Sequence, residues 1–264
     1  MIPALWDLGK HPTTFDFAAF AVIAKTVGHH HVRFIYEERM ADHKYPEWLA
    51  WRRFGNIVLP ICRLAGLEFS VGKRVDGREY AYFAGTVEAM YREIKDIKKL
   101  KPTQLIEDRG YVTITLRESF RNAWCNSNKE AWTAFEQYLE KKNKNVMVLP
   151  ECEHAPLDVE HRMAVYANAD MNLGVNNGPM ALCHFADVPY ITINMLPPRP
   201  ADTVGYDLEK LHIKTGFPSG SQYSFRTDRQ IIVWERDTFE NIVRSYEDME
   251  AGKFNRVTVD EAAA

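Results

Sequence analysis

The sequence has little of what marks a zinc-binding, secreted or membrane-spanning protein. Its four cysteines, at positions 62, 125, 152 and 183, form no CxxC pair and match no zinc-ligand spacing. No apolar leader follows Met1, and no run approaches the roughly eighteen apolar residues that cross a bilayer. These absences favour a cytoplasmic protein with free, mostly buried thiols.

An excess of charge of either sign is also missing. The formal net charge of −3 gives no electrostatic reason to expect nucleic acid or an anionic membrane as a partner. The basic run KDIKKLK at 95–101 is interpreted as the solvated end of a helix. The run His29–His31 invites a metal assignment, but neighbouring residues of a strand point to opposite faces. We therefore interpret it as a turn that enters a strand.

Strand-like and helix-like segments alternate along the whole chain. This order predicts βαβ units with mostly parallel sheets, and 264 residues suffice for two small lobes. We predict an α/β fold with two Rossmann-like lobes, residues 1–104 and 105–264, joined near 100–110; the last helix is a candidate to pack back on the first lobe. The predicted strands are 3–8, 31–36, 67–71, 111–116, 145–149, 170–175, 190–195 and 230–235, and the helices are 15–26, 46–64, 84–99, 128–141, 161–169, 180–185 and 238–249.

Ligands in such folds bind outside the carboxyl ends of the strands. The loop after the first strand contains three candidate bases, Asp7, His11 and Asp16. Asp16 precedes an apolar helix, so it is better interpreted as an ordinary N-cap. The other loops at predicted strand ends are Arg117–Asn128, Glu151–His154 and Asn176–Pro179.

The segment Asn176–Pro179 connects an apolar strand directly to a helix that starts at Met180. A helix start offers unpaired N–H groups and a positive dipole end, which suit a phosphate. Gly178 would let a ligand approach the backbone closely, or it takes a positive φ. Asn is also a good N-cap and Pro a good first-turn residue, so plain capping explains the same residues. The residues alone do not decide between phosphate binding and plain helix capping.

The stretch YANADMNLGVNNGPMALCHFADVPYITINM resembles the donor-side half of the heptosyltransferase-like glycosyltransferases, the ADP-heptose:lipopolysaccharide family. The similarity extends over roughly residues 108–250, because the preceding strand, loop, helix and strand follow the same pattern. The family's Asp-Ser is Asn176-Asn177 here, and its His after Gly-Pro-Met is Ala181, with His184 one turn later. The matching residues are Ala167, Ala169, Asp170, Gly174, Gly178, Pro179, Met180 and Pro189.

The resemblance implies a GT-B architecture that holds a nucleotide-diphosphate sugar between two lobes. It also implies transfer of the sugar, without a metal or other cofactor, to a hydroxyl of a glycan or glycolipid acceptor, as in surface polysaccharide synthesis. A cytoplasmic location, peripheral at the inner membrane face, would follow.

Arg117 is the best candidate to neutralise the leaving diphosphate, because a guanidinium binds phosphate with two hydrogen bonds. Its plain alternative is a surface ion pair with Glu118 or Glu151. The predicted catalytic residues are Asp7, His11 and Arg117, and the predicted donor-binding residues are Arg117, Ser119, Glu151, Glu153, Asn176, Asn177, Gly178, Pro179 and Met180.

Two other functions remain open at this point. A nucleotide-sugar 2-epimerase shares the two-lobe fold, but it would need acidic and basic side chains that converge on one sugar carbon. A catalytically degenerate GT-B subunit that only binds a nucleotide sugar would explain the replaced Asp-Ser and His.

Overall fold

The computed structural model describes residues 2–40, 46–119, 123–151, 158–197 and 216–254, together with Lys210 and Ile213. These residues form two separate sheets in which every strand pair is parallel. The first has the order β3-β2-β1-β4, with β1 Ala4–Asp7, β2 His31–Ile35, β3 Glu68–Gly72 and β4 Arg78–Glu79. The second has the order β6-β5-β7-β8-β9, with β5 Tyr111–Arg117, β6 Asn145–Glu151, β7 Met171–Val175, β8 Tyr190–Ile193 and β9 Gln230–Val233. The prediction of an α/β fold with two parallel sheets is confirmed.

The helices follow the predicted order with small changes at their ends. The segment predicted at 46–64 is α2, a π-helical turn at Phe54–Val58 and α3 in direct succession. The segment predicted at 84–99 already ends at Ile94, because Lys95 turns left-handed with a φ of 63°. The helices are α1 Phe17–Thr26, α2 Glu47–Arg53, α3 Leu59–Leu64, α4 Ala84–Ile94, α5 Lys129–Lys141, α6 Val159–Asn168, α7 Met180–His184 and α8 Phe239–Glu250, with a short 3₁₀ turn at Ala123–Cys125.

Helices cover both faces of the second sheet. On one face, α5 and α8 pack against each other through apolar stripes at helical spacing. Trp132 and Phe135 of α5 and Ile242 and Tyr246 of α8 are buried in one cluster there. The expected return of the last helix to the first lobe is therefore wrong, because its apolar stripe is already buried on α5.

The other face of the second sheet carries α6 and α7, and these two helices contact the first lobe. α1 packs on α7 and α3 packs on α6, so a single apolar core runs through both lobes. Polar pairs reinforce the junction: Arg63 Nε donates to Glu160 Oε2 at 2.7 Å, and the backbone N of Ser224 donates to Glu88 Oε2 at 2.9 Å. The lobes therefore pack against each other over a shared apolar interior. The division at 100–110 stays a prediction.

Gly178 lies at this junction. Its φ is not positive, which excludes one of the two explanations offered for this glycine. A Cβ on Gly178 would lie 2.6 Å from ring atom Cδ2 of Phe15 in the first lobe. Position 178 therefore requires a glycine because the side chain of Phe15, in the opposite lobe, packs closely against it.

We expect Gly178→Val to destabilise the protein by about 1–3 kcal/mol, because the added methyls overpack against Phe15. The free energy of unfolding in urea would measure this loss. Phe15→Ala has its own cost, but it removes the obstructing ring. The double variant should therefore be more stable than the sum of the two single effects predicts. Strict additivity would show that the two residues do not compete for this space.

Candidate functional site

The candidate site lies at the carboxyl edge of the second sheet, between β5 and β7. The strand order reverses at this pair, and ligands of open α/β sheets bind at such switch points. Arg117 is the last residue of β5, and its Nη1 donates to the carbonyl of Asn176 at 2.8 Å. Asn176 is the first residue after β7. Arg117 thus bridges the two strands at the switch point.

The guanidinium of Arg117 has a further nitrogen donor that takes no part in the contact with Asn176. Its Nε is buried and has no hydrogen-bond partner among the described residues. The alternative role, an ion pair with Glu118, is not observed, since Glu118 pairs with Lys129. The side chain of Glu151, and the whole of Glu153, lie outside the described residues. Arg117 is therefore placed as a ligand-binding cation would be.

The turn after β7 is stabilised by its own hydrogen bonds. Asn177 Oδ1 accepts from the backbone N of Met180 at 3.0 Å, as a capping residue would. The N–H of Ala181 donates to the Gly178 carbonyl at 3.0 Å, and that of Leu182 to the Pro179 carbonyl at 3.1 Å. The interpretation that this helix start presents unpaired N–H groups is therefore wrong for residues 180–182.

One polar atom of this turn does remain without a partner. Asn177 is buried, and its Nδ2 makes no hydrogen bond within the described part of the chain. An unsatisfied buried donor costs about 1–3 kcal/mol, so such a group is a natural place for a ligand acceptor. Arg117 Nε and Asn177 Nδ2 are thus two buried side-chain donors at the switch point that have no partner among the described residues.

Ser119 belongs to the loop between β5 and α5. Its backbone N donates to Asn126 Oδ1 at 2.8 Å, and its carbonyl accepts from Asn126 Nδ2 at 3.1 Å. The residue is buried. Asn126 therefore fixes the backbone of this loop beside Arg117, which sequence reasoning did not anticipate.

In the first lobe, Asp7 ends β1 and is surrounded by donors. Its Oδ1 accepts from the backbone N of Gly9 at 2.9 Å, and its Oδ2 lies 2.9 Å from Arg74 Nη2 and 3.3 Å from Lys10 Nζ. Burial raises the pKa of this carboxyl, but the bonds from Gly9, Lys10 and Arg74 outweigh it and hold the pKa below its usual value. A carboxylate stabilised in this way is a weak base.

His11 packs in an aromatic cluster at the same strand end. Its ring centroid lies 4.7 Å from that of Trp6 and 5.2 Å from that of Tyr82. Desolvation lowers the pKa of the imidazole, and the charges of Asp7 and Glu79 only partly oppose this. His11 is therefore neutral at pH 7 and has a lone pair with which to accept a proton.

Asp16 occupies the N-cap position of α1, as the sequence interpretation expected, but its side chain does not cap the helix. Its side chain makes no capping bond to α1; instead its Oδ2 accepts from Thr14 Oγ1 at 2.8 Å. Desolvation is the largest influence on the Asp16 carboxyl and raises its pKa against the opposing effects of Thr14 and Arg53, but the side chain is exposed and solvent limits this rise. Asp16 follows Phe15, whose ring contacts Gly178. It is therefore next in sequence to a contact between the two lobes.

His184 does not take the place of the family's motif histidine. It is buried, and its Nε2 lies 2.8 Å from Thr192 Oγ1 in the core between α7 and β8. Burial lowers the pKa of this imidazole to about 4. His184 is thus a neutral core residue.

His29 and the cysteines among the described residues have structural surroundings. The ring nitrogens of His29 lie 2.8 Å from the Ile2 carbonyl and 2.7 Å from Tyr80 Oη, in the turn before β2. Cys62, Cys125 and Cys183 are buried free thiols, and Cys152 lies outside the described residues. The described residues contain no group of three metal-ligating side chains. Within the same residues, every helix is too short or too polar to cross a membrane.

Neither a protein-family model nor a curated protein sequence matches the chain. The similar solved structures include the E. coli heptosyltransferase WaaC with ADP, at 12% identity and a TM-score of 0.48 over 93% of this chain and 99% of that one. WaaC with ADP-2-deoxy-2-fluoro heptose aligns at 14% identity and a TM-score of 0.46 over the same shares. The iron-containing dodecameric glycosyltransferase TibC from enterotoxigenic E. coli H10407 aligns at 13% and 0.45, over 73% of this chain.

This chain aligns with 58% of the length of TibC. One of the three structures is named as a glycosyltransferase and two as a heptosyltransferase. Identities of 12–14% and TM-scores below 0.5 do not transfer an activity. The chemistry of this chain has to follow from its own residues.

The buried His184 makes stability depend on pH in a defined direction. Its pKa is about 4 in the folded protein, so between about pH 6.5 and pH 4 the unfolded chain binds the extra proton more readily. Stability should therefore fall in this window as the pH is lowered, by up to about 2–3 kcal/mol from this group. Urea unfolding of wild type and His184→Asn at pH 7.0 and pH 4.5 would measure the difference. An equal loss in both proteins would contradict the assignment.

Proposed function

We propose that this chain is a metal-independent glycosyltransferase that moves a sugar from a nucleotide-diphosphate sugar to a hydroxyl acceptor. The observation that carries the proposal is the pairing of two features at the lobe junction. One is Arg117 at the switch point of the second sheet, with a buried donor that has no partner among the described residues. The other is the carboxyl of Asp16 in the first lobe, one residue after Phe15, whose ring contacts Gly178.

The cation serves the leaving group. The diphosphate gains negative charge as the glycosidic bond breaks, and donors placed beforehand stabilise that charge without reorganising. Arg117 Nε and Asn177 Nδ2 are two such donors, and both are buried. Ser119, Gly178, Pro179 and Met180 shape the surface around them, while Glu151 and Glu153 are proposed to bind hydroxyls of the ribose or the sugar.

The acceptor hydroxyl needs a base whose pKa lies near the working pH. Asp7 suits this role poorly, because Gly9, Lys10 and Arg74 stabilise its charged form. Asp16 suits it better, since desolvation destabilises its charged form and makes it more basic. His11 is the second candidate, as a neutral imidazole at the end of β1.

Two further parts of the proposal concern the acceptor and the location. The acceptor is proposed to be a glycan or glycolipid of surface polysaccharide synthesis, which the enzyme binds in the cytoplasm at the inner membrane face.

Two assays separate the candidate functions. The first is a thermal-shift assay with a panel of nucleotide sugars, and the second measures nucleoside diphosphate release with and without acceptor. Binding without release would favour the degenerate binding subunit, and release of free nucleotide is not expected of a 2-epimerase that retains its sugar.

Arg117→Ala should weaken binding of the nucleotide sugar by about 1.5–3 kcal/mol, the range for losing a hydrogen bond to a charged group. Calorimetric titration with nucleoside diphosphate would measure this loss. Lys129→Ala is the matched control, because it removes a nearby cation that pairs with Glu118 instead. Equal affinity of Arg117→Ala and wild type would remove Arg117 from the site.

Asp16→Asn should lower turnover by about 10²–10⁴-fold and leave nucleotide affinity nearly unchanged, because a general base acts on the acceptor and not on the donor. Steady-state release of nucleoside diphosphate with acceptor present would measure turnover. Asp7→Asn should lower turnover by a smaller factor than Asp16→Asn. A larger loss of turnover in Asp7→Asn would assign the role of base to Asp7 instead.

A further inference from the structure

Asp237 is a buried carboxylate in the loop between β9 and α8, outside the residues assigned above. It is 5% exposed. Its Oδ2 accepts from the backbone N of Asn128 at 2.8 Å and from Trp132 Nε1 at 2.9 Å, and its Oδ1 accepts from Asn194 Nδ2 at 3.1 Å. A carboxylate is tolerated in such a place only when donors surround it. Asp237 thus connects the start of the loop after β8 to the end of the loop between β5 and α5.

The first connection runs through Asn194, which follows β8. Its φ of 56° is uncommon for a residue other than glycine, and the bond to Asp237 helps to hold it. This backbone turn directs the next carbonyl, that of Met195, which accepts from Asn176 Nδ2 at 2.9 Å. The carbonyl of Asn176 in turn accepts from Arg117. A chain of hydrogen bonds and backbone therefore links Asp237 to the guanidinium.

The second connection reaches the backbone of the same arginine. Asn128, whose N–H binds Asp237, directly follows Ser127. Ser127 Oγ accepts from the backbone N of Arg117 at 2.8 Å, and the backbone N of Ser127 donates to the Arg117 carbonyl at 3.1 Å. Asp237 therefore fixes Arg117 from two sides, at its guanidinium and at its backbone.

We propose that Asp237 is a positioning residue that sets Arg117 and Asn176 in the geometry in which they bind a diphosphate. This inference rests on the proposed function, since it assigns Asp237 to the same site. Sequence reasoning gave no sign of it, because Asp237 precedes a helix and resembles a capping residue. The observed cap of α8 is the next residue, Thr238, which accepts from the backbone N of Asn241 at 3.3 Å.

The test compares Asp237→Ala with Thr238→Ala, a neighbouring variant that loses a helix cap but none of the links to Arg117. Two quantities are measured: the NMR signals of the Asn176 side-chain amide and the Arg117 Nε–H, and the Kd of ADP and of UDP by calorimetry. Asp237→Ala should shift or broaden both signals and weaken nucleotide binding about tenfold. Thr238→Ala should leave both quantities near their wild-type values.

The conservative variant Asp237→Asn provides a rescue. Its amide oxygen can still accept from Asn128 and Trp132, and its Nδ2 can donate to Asn194 Oδ1, a buried atom that has no partner among the described residues. We therefore expect nearly wild-type signals and affinity once the side-chain amide of Asn194 flips, so that its oxygen and nitrogen exchange places. If Asp237→Ala does not fold, Asn194→Gly takes its place, because it breaks the same link and glycine adopts a positive φ readily.

The proposal is overturned if the Asn176 and Arg117 signals are unchanged in Asp237→Ala or in Asn194→Gly, whatever the measured Kd of the nucleotides. Shifted signals with an unchanged Kd overturn it too, provided that wild type binds nucleotide. If wild type binds neither ADP nor UDP, the proposed function fails for these donors, and the signals alone still decide whether Asp237 sets the positions of Arg117 and Asn176.

Discussion

The packing of α1 and α3 on α7 and α6 is the contact on which the rest of the structure depends. Each lobe has one helical face that it cannot expose to water, and the two faces bury each other in one apolar core. The contact brings the loop after β1 to the turn after β7, where Phe15 meets Gly178. Without this junction, Asp16 and Arg117 would belong to unrelated surfaces.

The polar chemistry follows from the direction of the strands. Parallel strands end at one edge, so side chains that are distant in sequence gather there. Several of them are satisfied: Asn126 and Ser127 bind backbone groups at the end of β5 and in the loop after it, and Asn176 binds the backbone of the loop after β8. Arg117 Nε and Asn177 Nδ2 are exceptions, and an unmet buried donor costs enough free energy to call for an explanation. A diphosphate that accepts from both would supply one.

The two aspartates of the first lobe show how surroundings divide similar groups into different roles. Asp7 has cations and a backbone N–H around it, so its charge is stabilised and it serves to fix the loop. Asp16 is exposed and accepts one hydroxyl bond, from Thr14, and desolvation raises its pKa, so its charge is less stabilised than that of Asp7. The two histidines also differ in their surroundings: His11 lies at a strand end, whereas His184 is buried in the core.

The sequence by itself determined the order of the main helices and of every strand except the two-residue β4 at Arg78–Glu79, because apolar period and turn residues are local properties. It also placed Arg117 and Asn176–Met180 at strand ends, because strand ends can be read from the same pattern. It could not show that Gly178 faces Phe15, that α8 packs on α5, or that Met180–Leu182 already have partners for their N–H groups. It gave no sign that Asp16 lacks a capping bond, and it missed Asp237, since both precede helices as caps do. Only the tertiary structure decided those roles, because hydrogen-bond partners and desolvation depend on residues far away in the chain.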